Sequence, residues 1–139
     1  MFFREKQENQ SDNNLKKIAA LLIHAAKIDE DYSIKEKEII KQTLLEIGAN
    51  KENIDEIMKD SSEIEQNSNQ ILEFTKEVKI MDEDNKIRIV ETLWRIIYSN
   101  KAADVYETSL MRRLAGLLYI DSKIMGNIKE RIKKEYSAW

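Results

Sequence analysis

Apolar residues recur every three and four positions from Leu15 to Ile28 (Leu15, Ile18, Ala19, Leu22, Ala25, Ala26), the period of an amphipathic helix. Ser33 then offers an N-cap oxygen with Glu36 three residues on, a capping box ahead of the next apolar stripe, Ile39, Ile40, Leu44 and Ile47. Gly48 is placed to end that helix in a left-handed conformation. The pattern predicts a short helix around Glu52–Lys59 and a longer one around Glu63–Met81, the latter with Ile64, Ile71, Phe74 and Val78 inward. Asp82, Glu83 and Asp84 break the periodicity and can cap a helix over about Asn85–Ser99. Asp104 and Glu107 form a second capping box, opening a helix that runs to about Tyr119, and Asp121 or Ser122 starts a last one to about Tyr136. About seven helices are expected, forming an all-α bundle.

The same helix-loop-helix pattern occurs twice at an offset of 71 residues. That offset carries Ile18 to Ile89, Leu22 to Leu93, Ile23 to Trp94, Ile40 to Met111, Ile47 to Leu118, Ile54 to Met125 and Ile57 to Ile128, so apolar positions map onto apolar positions. One unit alone would expose its stripe, whereas two facing one another would bury both, a pseudo-twofold duplicated bundle. The expected organisation is a frayed N-terminus over residues 1–13 and a single domain over 14–139. Within it the repeat units cover about 14–60 and 85–136, and a crossover helix about 63–81.

Composition strengthens the all-helical reading. With 139 residues, no proline and only three glycines, the chain lacks the turn punctuation that sheets need. The 23 basic and 26 acidic residues nearly balance at a net charge of −3. The only basic run, Lys129, Arg131, Lys133 and Lys134, is explained by a last-helix C-terminus that favours cations, so no nucleic-acid partner is expected. Absence of cysteine excludes disulfides, thiolate metal sites and a cysteine nucleophile. No apolar stretch approaches the roughly 20 residues of a membrane span. The opening residues turn polar too soon for a secretory signal, which makes a cytoplasmic location the expectation. Met1, Phe2 and Phe3 ahead of Arg4 and Lys6 could dip into the inner membrane surface as a peripheral contact, though three residues give marginal affinity. Phe2, Phe3, Tyr136 and Trp139 are aromatics at the two ends that would allow a homodimer.

The segment Leu93–Ile120 resembles a signature of the tellurite-resistance TerB-like family. Leu93, Trp94 and Tyr98 match its Leu-Trp-x-hydrophobic-Ala-Tyr part, and Glu107, Arg112, Arg113, Leu114, Ala115, Leu117 and Leu118 match the following helix. Asp29 and Glu36 stand at the corresponding places of the family's other loop, and the similarity covers about Leu15 to Ile132. The chain departs from the pattern where Glu30 and Lys101 replace the loop glycines and Asn100 replaces the second aspartate. The resemblance implies an all-helical, pseudo-symmetric bacterial domain, cytoplasmic or on the inner face of the membrane. It further implies a role in stress response and metal handling, with acidic residues as divalent-cation ligands.

The residues themselves give two readings of the acidic loops. Asp29, Asp31 and Glu36 can converge where the chain reverses, with Asn100, Asp104 and Glu107 as the weaker counterpart, and hard cations seek such oxygen ligands. Calcium, magnesium, manganese or zinc would be the ion. Asp29-x-Asp31-x-Ser33 copies the start of an EF-hand loop, but Ile34 stands for the required glycine and Ile40 for the bidentate glutamate. The cluster at Asp82 fails likewise, with Leu93 in the twelfth place. Capping alone accounts for the same acids, since Glu36 and Glu107 can reach back to backbone N–H groups. His24, the only histidine, has no second nitrogen or sulfur donor for zinc and reads as a residue at the edge of the apolar stripe. Trp94 reads as a core anchor. With no phosphate loop, nucleophile–histidine pair or paired carboxylates, the expectation is a non-enzymatic interaction or scaffold domain with a protein partner and no certain cofactor. The alternative is a divalent-metal-binding protein of tellurite or stress resistance.

Overall fold

A computed structural model describes residues 2–27, 34–67, 72–99 and 105–137, with side chains over 13–27, 34–67, 73–99 and 109–135. Among the described residues there are seven helices: α1 (Phe2–Lys27), α2 (Ile34–Ile47), α3 (Ile54–Asn67), α4 (Leu72–Lys79), α5 (Glu83–Ser99), α6 (Val105–Leu117) and α7 (Ser122–Ser137). The fold is all-α.

Two boundaries differ from the sequence expectation. Residues expected to fray at the N-terminus continue α1 back to Phe2. The polar segment ahead of Leu15 contains neither proline nor glycine, and adding residues to an existing helix is far easier than nucleating one. In place of the break expected near Ser61, α3 runs unbroken through it to Asn67, and the described crossover helix α4 is short. Ser61 is fully buried inside α3, and its hydroxyl donates to the Ile57 carbonyl at 2.5 Å, which satisfies a hydroxyl without leaving the helix. Of the residues expected inward on the crossover helix, Phe74 and Val78 are buried. Ile64 belongs to α3 and packs half-buried against the core, and Ile71 lies outside the described residues.

Local signals recur at the 71-residue spacing. Helix α2 ends with the Ala49 N–H donating to the Leu44 carbonyl at 2.8 Å across Gly48, whose φ is 136°. Helix α6 ends the same way, with Ile120 donating to Ala115 at 3.0 Å across Tyr119, whose φ is 57°. Both are Schellman closures, but only one uses the residue suited to a positive φ. The next helices are capped alike: Asn50 Oδ1 accepts the Glu52 and Asn53 N–H groups at 3.0 Å, and Asp121 Oδ1 accepts the Lys123 N–H at 2.8 Å. Asp82 Oδ1 accepts the Asn85 N–H at 2.9 Å and caps α5.

The packing departs from twofold symmetry. Helix α1 lies against α3, and α5 against α7, as equivalent pairs. Helix α2 packs closely on α5, but the corresponding pair, α6 and α1, makes no comparable contact among the described residues. Helix α4 packs on both α1 and α6, bringing Phe74 and Val78 into the core beside them. The core is one continuous cluster running from Leu15 to Ile132, with Leu22, Ile40, Leu93 and Leu114 all fully enclosed.

Candidate functional site

Of the six acidic-loop residues predicted as metal ligands, the structure describes the side chain of one. Asp29, Asp31, Asn100 and Asp104 lie outside the described residues, as does the Glu107 side chain, although residue 107 falls in the first turn of α6. Glu36 occupies the first turn of α2 and is completely buried. A carboxylate there is favoured by the positive end of the helix dipole, while its burial demands compensating interactions. Among the described residues, no three His, Asp or Glu side chains converge as a metal would require.

The described polar groups gather along two seams. Between α1 and α3, Lys16 pairs with Asp60 at 2.9 Å, and Lys27 with Glu65 at 2.9 Å. His24 Nδ1 lies 3.4 Å from the other Glu65 oxygen, so the only histidine is part of an interhelix clamp. Lys17 reaches Glu77 of α4 at 3.5 Å. Near the N-terminal part of this seam lies an open cleft of about 500 Å³, lined by Asn13, Lys16, Asp60, Glu63, Ile64, Asn67 and Glu73. Its acids are spread over two helices and one is already neutralised by Lys16.

Between α5 and α7, Arg131 reaches Glu91 at 3.2 Å and Arg95 reaches Glu135 at 3.5 Å. Trp94, only 2% exposed, stacks on Tyr98 with ring centroids 5.9 Å apart, and the Lys129 ammonium sits 5.6 Å from the Trp94 ring centre. This agrees with Trp94 as a core anchor. Burial pushes the Tyr98 phenol above its ordinary range, and the Glu130 carboxylate raises it further. Lys129 and Arg131 of the C-terminal basic run are therefore engaged with the protein itself rather than forming a continuous open face.

Three polar features were missed by the sequence reading. Thr43 and Thr92 face each other across α2 and α5 with hydroxyl oxygens 2.6 Å apart, and each also approaches its own i−4 carbonyl. Each hydroxyl has one proton, so one threonine donates to the other while the second bonds its own helix. Buried Lys86 donates to the Leu118 carbonyl at 3.2 Å, tying the start of α5 to the end of α6. Tyr119 is 72% exposed, and Lys79 of α4 sits 4.1 Å above its ring. The offset alignment, which sets Tyr119 opposite Gly48, held the clue to that last one.

No helix among the described residues is long and apolar enough to cross a membrane. Comparison with curated proteins and with solved structures gave no match. The family model described as "Tellurite resistance protein TerB" matches residues 16–130, from within α1 to the middle of α7. On that match over most of its length, the chain belongs to the TerB family.

Proposed function

We propose that this TerB domain is a non-enzymatic interaction module of the cytoplasm, whose helical body presents a docking face to a protein partner. One observation carries the reading: Tyr119 holds a left-handed backbone conformation while leaving 72% of its surface exposed. A non-glycine residue in that conformation costs on the order of 1–3 kcal/mol, and the equivalent turn at Gly48 avoids the cost. Burial does not repay it, and the Lys79 contact returns only about 0.5–1 kcal/mol at an exposed site. An exposed tyrosine kept at a conformational cost is accounted for by contact with something outside the chain, and tyrosine is among the commonest anchors of interfaces. The family's description makes tellurite resistance the setting in which to seek the partner. A photo-crosslinking amino acid placed at position 119 of the full chain should give a discrete product in the producing cell. The same group at exposed Lys51 should not. Equal or absent crosslinking at both positions would sink the reading.

The fully buried Glu36, which follows Asp29 and Asp31 closely in sequence, supports a second reading, a divalent cation held by these acids. Asp29, Asp31 and Glu36 would supply the first site, with Asn100, Asp104 and Glu107 the weaker one. Calorimetric titration with calcium, magnesium, manganese and zinc should then show binding below about millimolar, lost in Asp29→Ala and Glu36→Ala. If no cation binds, the acids serve the helix starts alone. Glu36→Ala would then still destabilise the metal-free protein by about 0.5–2 kcal/mol.

A further inference from the structure

We infer that the face formed by α6 and the end of α4 docks an acidic segment of a protein partner, with Arg112 and Arg113 taking its carboxylates and Tyr119 and Ile80 its apolar side chains. The inference rests on the interaction reading above and adds the partner's chemistry.

Among the described residues of α6, Ser109, Arg112, Arg113 and Gly116 are exposed, with Tyr119 just past the helix end. Lys79 crosses to the Tyr119 ring, which brings the C-terminal ends of α4 and α6 together. Next to Lys79 stands Ile80, 77% exposed, and one turn back on α4 is exposed Lys76. The two arginines here differ from the other arginines whose side chains are described. Arg88, Arg95 and Arg131 each reach a carboxylate. Among the described residues, neither Arg112 nor Arg113 has an ion pair, and neither does Lys76 or Lys79. A chain with three more acids than bases thus keeps two arginines without an ion pair among the described residues on the helix that leads to the strained, exposed Tyr119.

That arrangement favours carboxylates on a discrete partner. Guanidinium groups bind carboxylates through paired N–H donors, and arginine and tyrosine together are the residue types that dominate binding energy at interfaces. A membrane or a nucleic acid would extend past this face and meet Asp82, Glu83 and Asp84, which begin two residues after Ile80 and are exposed. A short segment can set its carboxylates on Arg112 and Arg113 and turn only apolar side chains toward Tyr119 and Ile80, the end next to those acids.

The test uses the full chain, isotopically labelled, and a synthetic peptide of glutamates around a central leucine pair. Backbone signals of Arg112, Arg113, Gly116, Tyr119 and Ile80 should shift together, with affinity falling at least about tenfold in Arg112→Glu/Arg113→Glu. Lys51→Glu should change affinity less than about twofold, as expected of a charge away from the contact. Retained helical circular dichroism and a milder loss in Arg112→Gln/Arg113→Gln would show that the reversal acts through charge. Shifts elsewhere, equal binding of a lysine version of the peptide, or tighter binding to phosphatidylglycerol vesicles or single-stranded DNA would overturn the inference. In the crosslinking experiment at position 119, the arginine reversal should abolish the product. A product that survives the reversal would preserve the interaction reading while overturning the acidic partner.

Discussion

The pair Gly48 and Tyr119 isolates what one residue contributes to a helix end. Both sit at the same place in a Schellman closure and both have positive φ. Gly48→Ala should destabilise the protein by more than about 1 kcal/mol in urea unfolding, because the added methyl meets no neighbour but the backbone angle forbids it. Tyr119→Gly should do the reverse, gaining up to about 1 kcal/mol once the lost Lys79 contact is subtracted. Tyr98 allows a separate test by pH. Its neutral form is favoured in the folded protein, first by burial and then by Glu130. The unfolded chain therefore ionises first as pH rises past about 10, so this contribution is complete below that pH and is lost above it. Unfolding midpoints should fall more steeply above pH 10 in the parent protein than in Tyr98→Phe.

At the scale of elements, the starts and stops were legible because they depend on a few adjacent residues. Asp82, Asp121 and Gly48 act where the sequence placed them, each satisfying or terminating backbone groups within its own turn. The α3–α4 boundary was not legible, since Ser61 and Ser62 read as a polar interruption and only burial against neighbouring helices makes Ser61 part of a helix interior. The α2–α5 contact shows the same limit. Thr43 and Thr92 lie on different helices 49 positions apart, and nothing local announces that their hydroxyls meet. Thr43→Val and Thr92→Val should each cost about 1–3 kcal/mol by leaving the partner hydroxyl short of a bond. The double variant should cost less than the sum, with a coupling of at least about 0.5 kcal/mol in a double-mutant cycle.

For the whole molecule, the 71-residue correspondence of apolar positions predicted which residues would turn inward, and all of those paired positions lie in the core except Ile47, which packs half-buried against it. It did not predict how the two halves meet. The offset sets α4 and α5 together opposite the single long helix α1, and α4 packs on α1 and α6 where a symmetric bundle would set those two against each other. Phe74, fully buried on α4, is the largest side chain it brings there. Phe74→Ala should cost about 3–5 kcal/mol, as for other aromatic-to-alanine changes in a core. If α4 only bridged the halves from outside, the same change would cost less than about 1 kcal/mol, and a urea titration separates the two.

The sequence by itself determined that the chain is helical, where most helices begin and end, which faces turn inward, and the family to which it belongs. Periodicity and capping act over one or two turns and so are written in adjacent residues. Only the tertiary structure decided that Glu36 is enclosed and that Arg131 and Lys129 are held by α5. It likewise decided that Arg112 and Arg113 carry no ion pair among the described residues and that Lys79 reaches the exposed Tyr119 ring. Charge reads from sequence as composition, but whether a given charge is spent within the fold or left for a partner depends on which helices lie beside it.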